Sequence, residues 1–218
     1  MSFRKEKFMS LAGITAVEHP IEELKSISRG LLNDGIHGIC FSAYDEGQQP
    51  GDQLTEAQVR RKLSILKPHI SWVRTFSCTE GNEFIAQIAH EMGIKTLAGA
   101  WLGDDLEKNE VEIAGLIALC KQGAVDVAAV GNEVLYREDL EANALVKYIE
   151  RVKAEVSGVP VGYVDAYYEF TDHPEVSDAC DIILANCYPY WEGCALDYSF
   201  QSRYVLTSQL RCRQPYPF

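Results

Sequence analysis

Six short runs of β-branched and apolar residues recur along the chain, and the segments between them have helical periodicity. The runs begin near Ile36, Ile70, Ile94, Val125, Val159 and Asp181, so their starts lie 22 to 34 residues apart, the length of one βα unit. Between them, apolar residues fall at i, i+3, i+4 and i+7. Val59, Leu63 and Leu66 mark one helix, and Ile85, Ile88, Ala89 and Met92 a second. Ile113, Leu116, Ile117 and Cys120 mark a third, and Leu145, Tyr148, Ile149, Val152 and Val156 the longest. The punctuation agrees with the periodicity. Thr55 followed by Gln58 is a capping-box spacing, Pro68 stops the first helix, and Gly93, Gly123 and Gly158 stand where the next three should end. Strands alternating with helices, and apolar enough to be buried on both faces, predict a parallel sheet.

Two architectures remain, an open doubly wound sheet and a (β/α)8 barrel. A nucleotide-binding open sheet should carry a Gly-rich loop after its first strand, and Ser42 to Gln48 holds neither GxGxxG nor GxxxxGK[ST]. The unusual polar and aromatic residues instead collect at the predicted C-terminal strand ends, where barrels place their chemistry. The expected fold is therefore an α/β barrel of the TIM type. Only about six units are visible in the 218 residues, whereas eight and typically about 250 residues close such a barrel.

Charge and cysteine usage narrow the function. Thirty-two acids against twenty Lys and Arg leave a net charge of −12, which repels phosphate backbones, so no nucleic-acid partner is expected. No apolar run approaches the roughly 20 residues of a membrane span. The seven cysteines are widely spaced without a CxxC, and the five histidines form no ligand spacing, so neither a disulfide framework nor a metal site is expected. Phe8 to Val17 is broken by Ser10, Gly13 and Thr15, a poor secretory core. As written, the chain is expected in the cytoplasm.

The fourth run leads straight into Gly131-Asn132-Glu133. A carboxylate at a barrel strand end, with an amide beside it, suits general acid/base work on a glycosidic bond, provided that partial desolvation favours its protonated form. The alternative is an acid that merely starts a helix after a turn. A second copy, Gly81-Asn82-Glu83, opens directly into the helix of Phe84 to Met92, where capping by Asn82 or Thr79 explains the residue types. The sixth run ends in Asn186-Cys187-Tyr188-Pro189-Tyr190-Trp191, whose rings can lie on sugar faces or simply plug the barrel rim. Asp165, Tyr167 and Tyr168 follow the fifth run, and Arg74 ends the second, placed to orient a carboxylate or to make a structural ion pair.

With these segments the chain resembles glycoside hydrolase family 17, the β-1,3-glucanases and related glucanosyltransferases. The likeness rests on Gly35 to Tyr44 with Gly47-Gln48, Val73-Arg74-Thr75-Phe76, Val130-Gly131-Asn132-Glu133-Val134, and Asn186 through Trp191, and runs from about Leu24 to about Ser199. The resemblance implies a (β/α)8 barrel and a retaining double displacement on β-1,3-glucan without metal or organic cofactor. It makes Glu133 the acid/base and Asn132 a sugar-binding amide at the reacting subsite. Tyr44, Tyr188 and Trp191 become walls of the cleft. Arg74, Asp165, Tyr167 and Asn186 complete the expected substrate-binding set. An extracellular or wall location also follows from the resemblance.

One departure stands out. The family carries its nucleophile as a Glu at the end of the seventh strand, in a segment resembling Thr-Glu-Thr-Gly-Trp-Pro, and this sequence has no such segment. After Ser199 the residues include Arg203, Arg211 and Arg213 and no acid. The expectation is an incomplete barrel over residues 1–199, a divergent tail over 200–218 and a missing nucleophile, with Glu192 or Asp165 the first substitutes to test. A non-catalytic glucan-binding fragment is the alternative.

Overall fold

The computed structural model describes residues 19–188. Trp191, Glu192 and the expected boundary at 199/200 lie outside the described residues. Helix α1 (Ile21–Asp34) precedes five βα repeats and a last strand. The strands are β1 (Ile36–Cys40), β2 (Ile70–Arg74), β3 (Lys95–Ala100), β4 (Val127–Asn132), β5 (Val161–Ala166) and β6 (Ile182–Asn186). Between them run α2 (Glu56–Leu66), α3 (Glu83–Glu91), α4 (Leu106–Lys121) and α5 (Ala142–Glu155), and the short α6 (Glu169–Asp172) and α7 (Pro174–Ala179).

Local chemistry sets these limits. Thr55 Oγ1 accepts from Gln58 N and starts α2, as the capping-box spacing predicts. Asp105 caps α4 through Glu107 N and Lys108 N. Gly93, Gly123 and Gly158 follow α3, α4 and α5 with φ of 73°, 76° and 75°, in the left-handed region that ends helices. Four strands begin one or two residues later than the apolar runs suggest. At β4, for example, the Asp126 carboxylate accepts from Thr96 N, so side-chain bonding precedes the ladder there.

All five strand pairings are parallel, and the spatial order is β1-β2-β3-β4-β5-β6 without a reversal. A doubly wound sheet reverses direction at a switch point, whereas a barrel does not. The sheet is also curled. Neighbouring strands lie about 4.8 Å apart, so β2 and β6 in a flat sheet would be about 19 Å apart. Arg74 of β2 nevertheless reaches Asn186 of β6, Nη1 to Oδ1 3.4 Å. The result is six parallel strands in a curled half-barrel, with β1 and β6 each paired on one side among the described residues.

The core sits between the sheet and its helices, in two parts. Ile113, Leu116, Leu145, Ile149 and Val152 of α4 and α5 pack on Ala98, Ala128, Val130, Val161 and Tyr163. Val59, Leu63, Ile85 and Ile88 of α2 and α3 pack on Phe41, Ile70 and Val73. These faces hold the strands rigid, which fixes the positions of the side chains at their C-terminal ends.

Candidate active site

The end of β4 is shaped by one extra residue. Between Ala129↔Gly162 and Asn132↔Val164 the pairing register shifts, with three steps on β4 against two on β5. Such a bulge bends the strand and re-aims the side chains beyond it. Gly131 makes it possible. Its φ is +89°, and a Cβ there would stand 2.7 Å from Val134 Cγ2. Glu133 comes next but one at φ 54°, a left-handed conformation that costs a non-glycine residue about 1–2 kcal/mol. Backbone bonds hold it there, from Glu133 N to Val164 O at 2.7 Å and from Arg137 N to Glu133 O at 2.9 Å. Residues 134–138 form turns, and α5 begins only at Ala142. Glu133 therefore starts no helix.

The Glu133 carboxylate accepts from Asn186 Nδ2 and from the Tyr188 hydroxyl, both at 2.8 Å and both on Oε1. Asn186 Oδ1 in turn accepts from Arg74, whose Nη2 also donates to Asn132 Oδ1. The guanidinium lies 4.8 Å from the Phe76 ring centroid, with its Nη1 4.0 Å from Cys40 Sγ. Glu133, Asn132, Arg74, Asn186 and Tyr188, scattered over 115 residues of sequence, thus form one network at the C-terminal ends of β2, β4 and β6. Burial, together with the neighbouring Glu133 carboxylate, pushes the Tyr188 phenol well above its ordinary value, so it stays a donor. Tyr167 joins through its backbone, N to Asn186 O 3.3 Å, and its ring meets Tyr168 edge-on at 5.3 Å.

Two expected residues fall elsewhere. Tyr44 is half-buried, and its hydroxyl accepts from Asn82 Nδ2 at 3.4 Å, which ties it to the second Gly-Asn-Glu copy. Asp165 is the correction. It is completely buried and shares the helix-facing side of β5 with Tyr163, while Ala166 pairs with Asn186 on the opposite side. Its oxygens accept from the Tyr163 hydroxyl, Tyr136 N at 3.3 Å and Ala166 N at 2.6 Å. Burial raises its pKa above the ordinary carboxylate value, against the pull of these donors. A side chain so enclosed does not touch a sugar; it braces the loop that carries Glu133 from behind.

Three contributors escape the sequence reading. Trp101, just past β3, is 37% exposed, and the Arg137 guanidinium lies 4.4 Å from its ring centroid. Arg137 also donates to Asn132 O and Leu102 O, linking Trp101 to the Glu133 strand end. Buried Glu112 accepts from Trp101 N at 3.2 Å. A polar residue on the apolar stripe of α4 was the one signal for Glu112. Among the described residues, no group of three or more His, Cys, Asp or Glu could hold a metal ion.

The chain has relatives among known proteins. Residues 38–211 match the family model described as BtgE/BtgC glycoside hydrolase domain. The chain belongs to that family. Like this glycoside hydrolase domain, a glucan 1,3-beta-glucosidase of Schizosaccharomyces pombe is a relative, 28% identical over 195 residues, covering 82% of the chain and 59% of that protein. A glucan 1,3-beta-glucosidase of Candida albicans is 28% identical over 148 residues, 60% of the chain and 48% of that protein. The domain thus spans about half the length of the curated relatives it matches. A solved structure of a Rhizomucor miehei beta-1,3-glucanosyltransferase, an active-site mutant in complex with laminaritriose, superposes with a TM-score of 0.70. It is 27% identical, and the match covers 84% of the chain and 70% of that protein.

Proposed function

We propose that this domain acts on β-1,3-glucan by a retaining mechanism with Glu133 as general acid/base. The observation that carries the reading is the clamp on Glu133, a carboxylate at a barrel strand end with two neutral donors fixed on Oε1. That leaves Oε2 as the oxygen to deliver a proton to the leaving glycosidic oxygen and later to take one from water. Asn132 spends its oxygen on Arg74 and offers its amide Nδ2 to a sugar hydroxyl. Tyr188 and Trp101, both partly exposed at the same end of the sheet, supply the aromatic surfaces on which glucose rings lie.

A retaining enzyme needs a second carboxylate about 5–5.5 Å from the first. Asp165 does not serve, because all its bonds lie on the helix side. Glu192 lies outside the described residues. Arg74 Nε is buried without an acceptor among the described residues, and an orphaned guanidinium donor suits the approach of that second carboxylate. Within these 218 residues the reading expects glucan binding with little hydrolysis.

Titration calorimetry with laminarihexaose tests this directly. Binding in the millimolar range or tighter, abolished by Tyr188→Ala or Trp191→Ala, supports the reading. Absence of binding contradicts it. Robust turnover that vanishes in Glu133→Gln would show that another carboxylate supplies the nucleophile.

A further inference from the structure

Helix α4 buries two polar side chains, Asn109 and Glu112, one turn apart on its sheet-facing stripe. A buried carboxylate in an apolar layer is costly unless donors surround it. Four donors converge on Glu112. Oε1 accepts from Ser77 Oγ at 2.5 Å and Thr79 Oγ1 at 2.7 Å, and Oε2 from Cys78 N at 2.8 Å and Trp101 N at 3.2 Å. The donors come from two loops, one after β2 and one after β3. Gly115 lets the helix approach that closely, since a Cβ there would stand 2.7 Å from Cys78 O.

The backbone of Trp101-Leu102-Gly103 is held residue by residue. Glu112 takes Trp101 N. Arg137 Nη2 donates to Leu102 O at 2.8 Å. Asn109 clasps Gly103 twice, accepting from its N and donating to its O, each at 2.8 Å. Three consecutive residues pinned by three side chains form a rigid mount, and the one side chain that this mount presents to solvent is the Trp101 ring.

We propose that Glu112, with Asn109, is a positioning residue that fixes Trp101 as a sugar platform at the end of β3, one strand from Glu133 at the end of β4, so that it governs affinity for glucan chains long enough to reach it. The consequence for chain length rests on the glucan reading above; the mount itself does not. An apolar replacement would serve equally well for packing, whereas a platform needs a fixed angle and height, which converging hydrogen bonds supply.

Two variants of the full chain test it. Glu112→Gln keeps the shape and loses acceptor capacity, and Thr79→Val removes one donor should the first variant fold poorly. Hydrogen exchange followed by mass spectrometry is expected to show at least about tenfold faster exchange around residues 77–79 and 101–103, with β5 unchanged. Affinity for laminarihexaose should fall about tenfold while that for laminaribiose stays within about twofold. Adding Trp101→Ala should cause little further loss, because the two residues act as one unit. Unchanged exchange at Trp101, or faster exchange everywhere including β5, overturns the proposal. Equal losses for both oligosaccharides also overturn it, since a merely structural role lowers both alike. If the unmodified chain binds neither sugar, the glucan reading fails and the exchange data alone decide the mount.

Discussion

The two Gly-Asn-Glu copies share three residues and almost nothing else. Each begins with a glycine at positive φ, 85° at Gly81 and 89° at Gly131. From there they diverge. Asn82 sits at the N-cap position of α3, its amide donating to Thr79 O at 3.0 Å and toward Tyr44, and Glu83 opens the helix with Oε2 buried and unpartnered among the described residues. Asn132 ends a bulged strand and binds Arg74, while Glu133 stands in a left-handed conformation with two donors on one oxygen. A tripeptide does not specify chemistry. Its position relative to a strand end and to residues some fifty positions away on either side does.

The largest expected effects lie in the glycines. Gly81→Ala would press a Cβ to 2.4 Å from the Leu54 carbonyl oxygen, which is backbone, whereas Gly131→Ala meets the movable Val134 methyl at 2.7 Å. Both also force alanine to positive φ. Thermal melts should show a loss of about 3 kcal/mol or more for Gly81→Ala and about 2 for Gly131→Ala. The reverse order would break the account of the two turns. Next come the asparagines. Asn132→Ala leaves Arg74 short of an acceptor and should weaken laminarihexaose binding about 10- to 100-fold by calorimetry. Asn82→Ala should cost about 1 kcal/mol of stability and leave affinity within about threefold. Equal effects on binding would erase the distinction.

A smaller effect concerns pH. Burial holds the Asp165 carboxyl above its ordinary 3.8, so the folded state binds this proton more tightly than the unfolded chain. This group therefore makes stability fall as pH rises from 3.8 through its raised folded value, and contributes no slope outside that window. Denaturant melts across the window should show that slope in the natural chain and lose it in Asp165→Asn. The smallest effect is expected at Glu83→Gln. Neutralising a buried oxygen that has no partner among the described residues should leave stability unchanged or raise it by up to about 1 kcal/mol.

The strands, helix ends and barrel order were legible because periodicity and capping are local. Thr55, Gly93, Gly123 and Gly158 act within a few residues of themselves. Glu133, Asn132, Arg74, Asn186 and Tyr188 were legible as strand-end residues, although their mutual bonds depend on curl. Asp165 misled because β5 is buried on both faces, so no polar alternation marks which side a residue takes. Glu112 and Arg137 were hidden for another reason. Their roles lie in backbone groups of distant loops, Trp101 N and Leu102 O, which carry no sequence signature.

The central claim is that Glu133, and not Glu83, faces a sugar-binding cleft. An epoxyalkyl β-laminarioside tests it, because a carboxylate beside the bound sugar opens the epoxide and becomes esterified. Peptide mapping by mass spectrometry should place the label on Glu133, and excess laminarihexaose should protect it. Label on Glu83, or labelling that laminarihexaose does not suppress, would contradict the account.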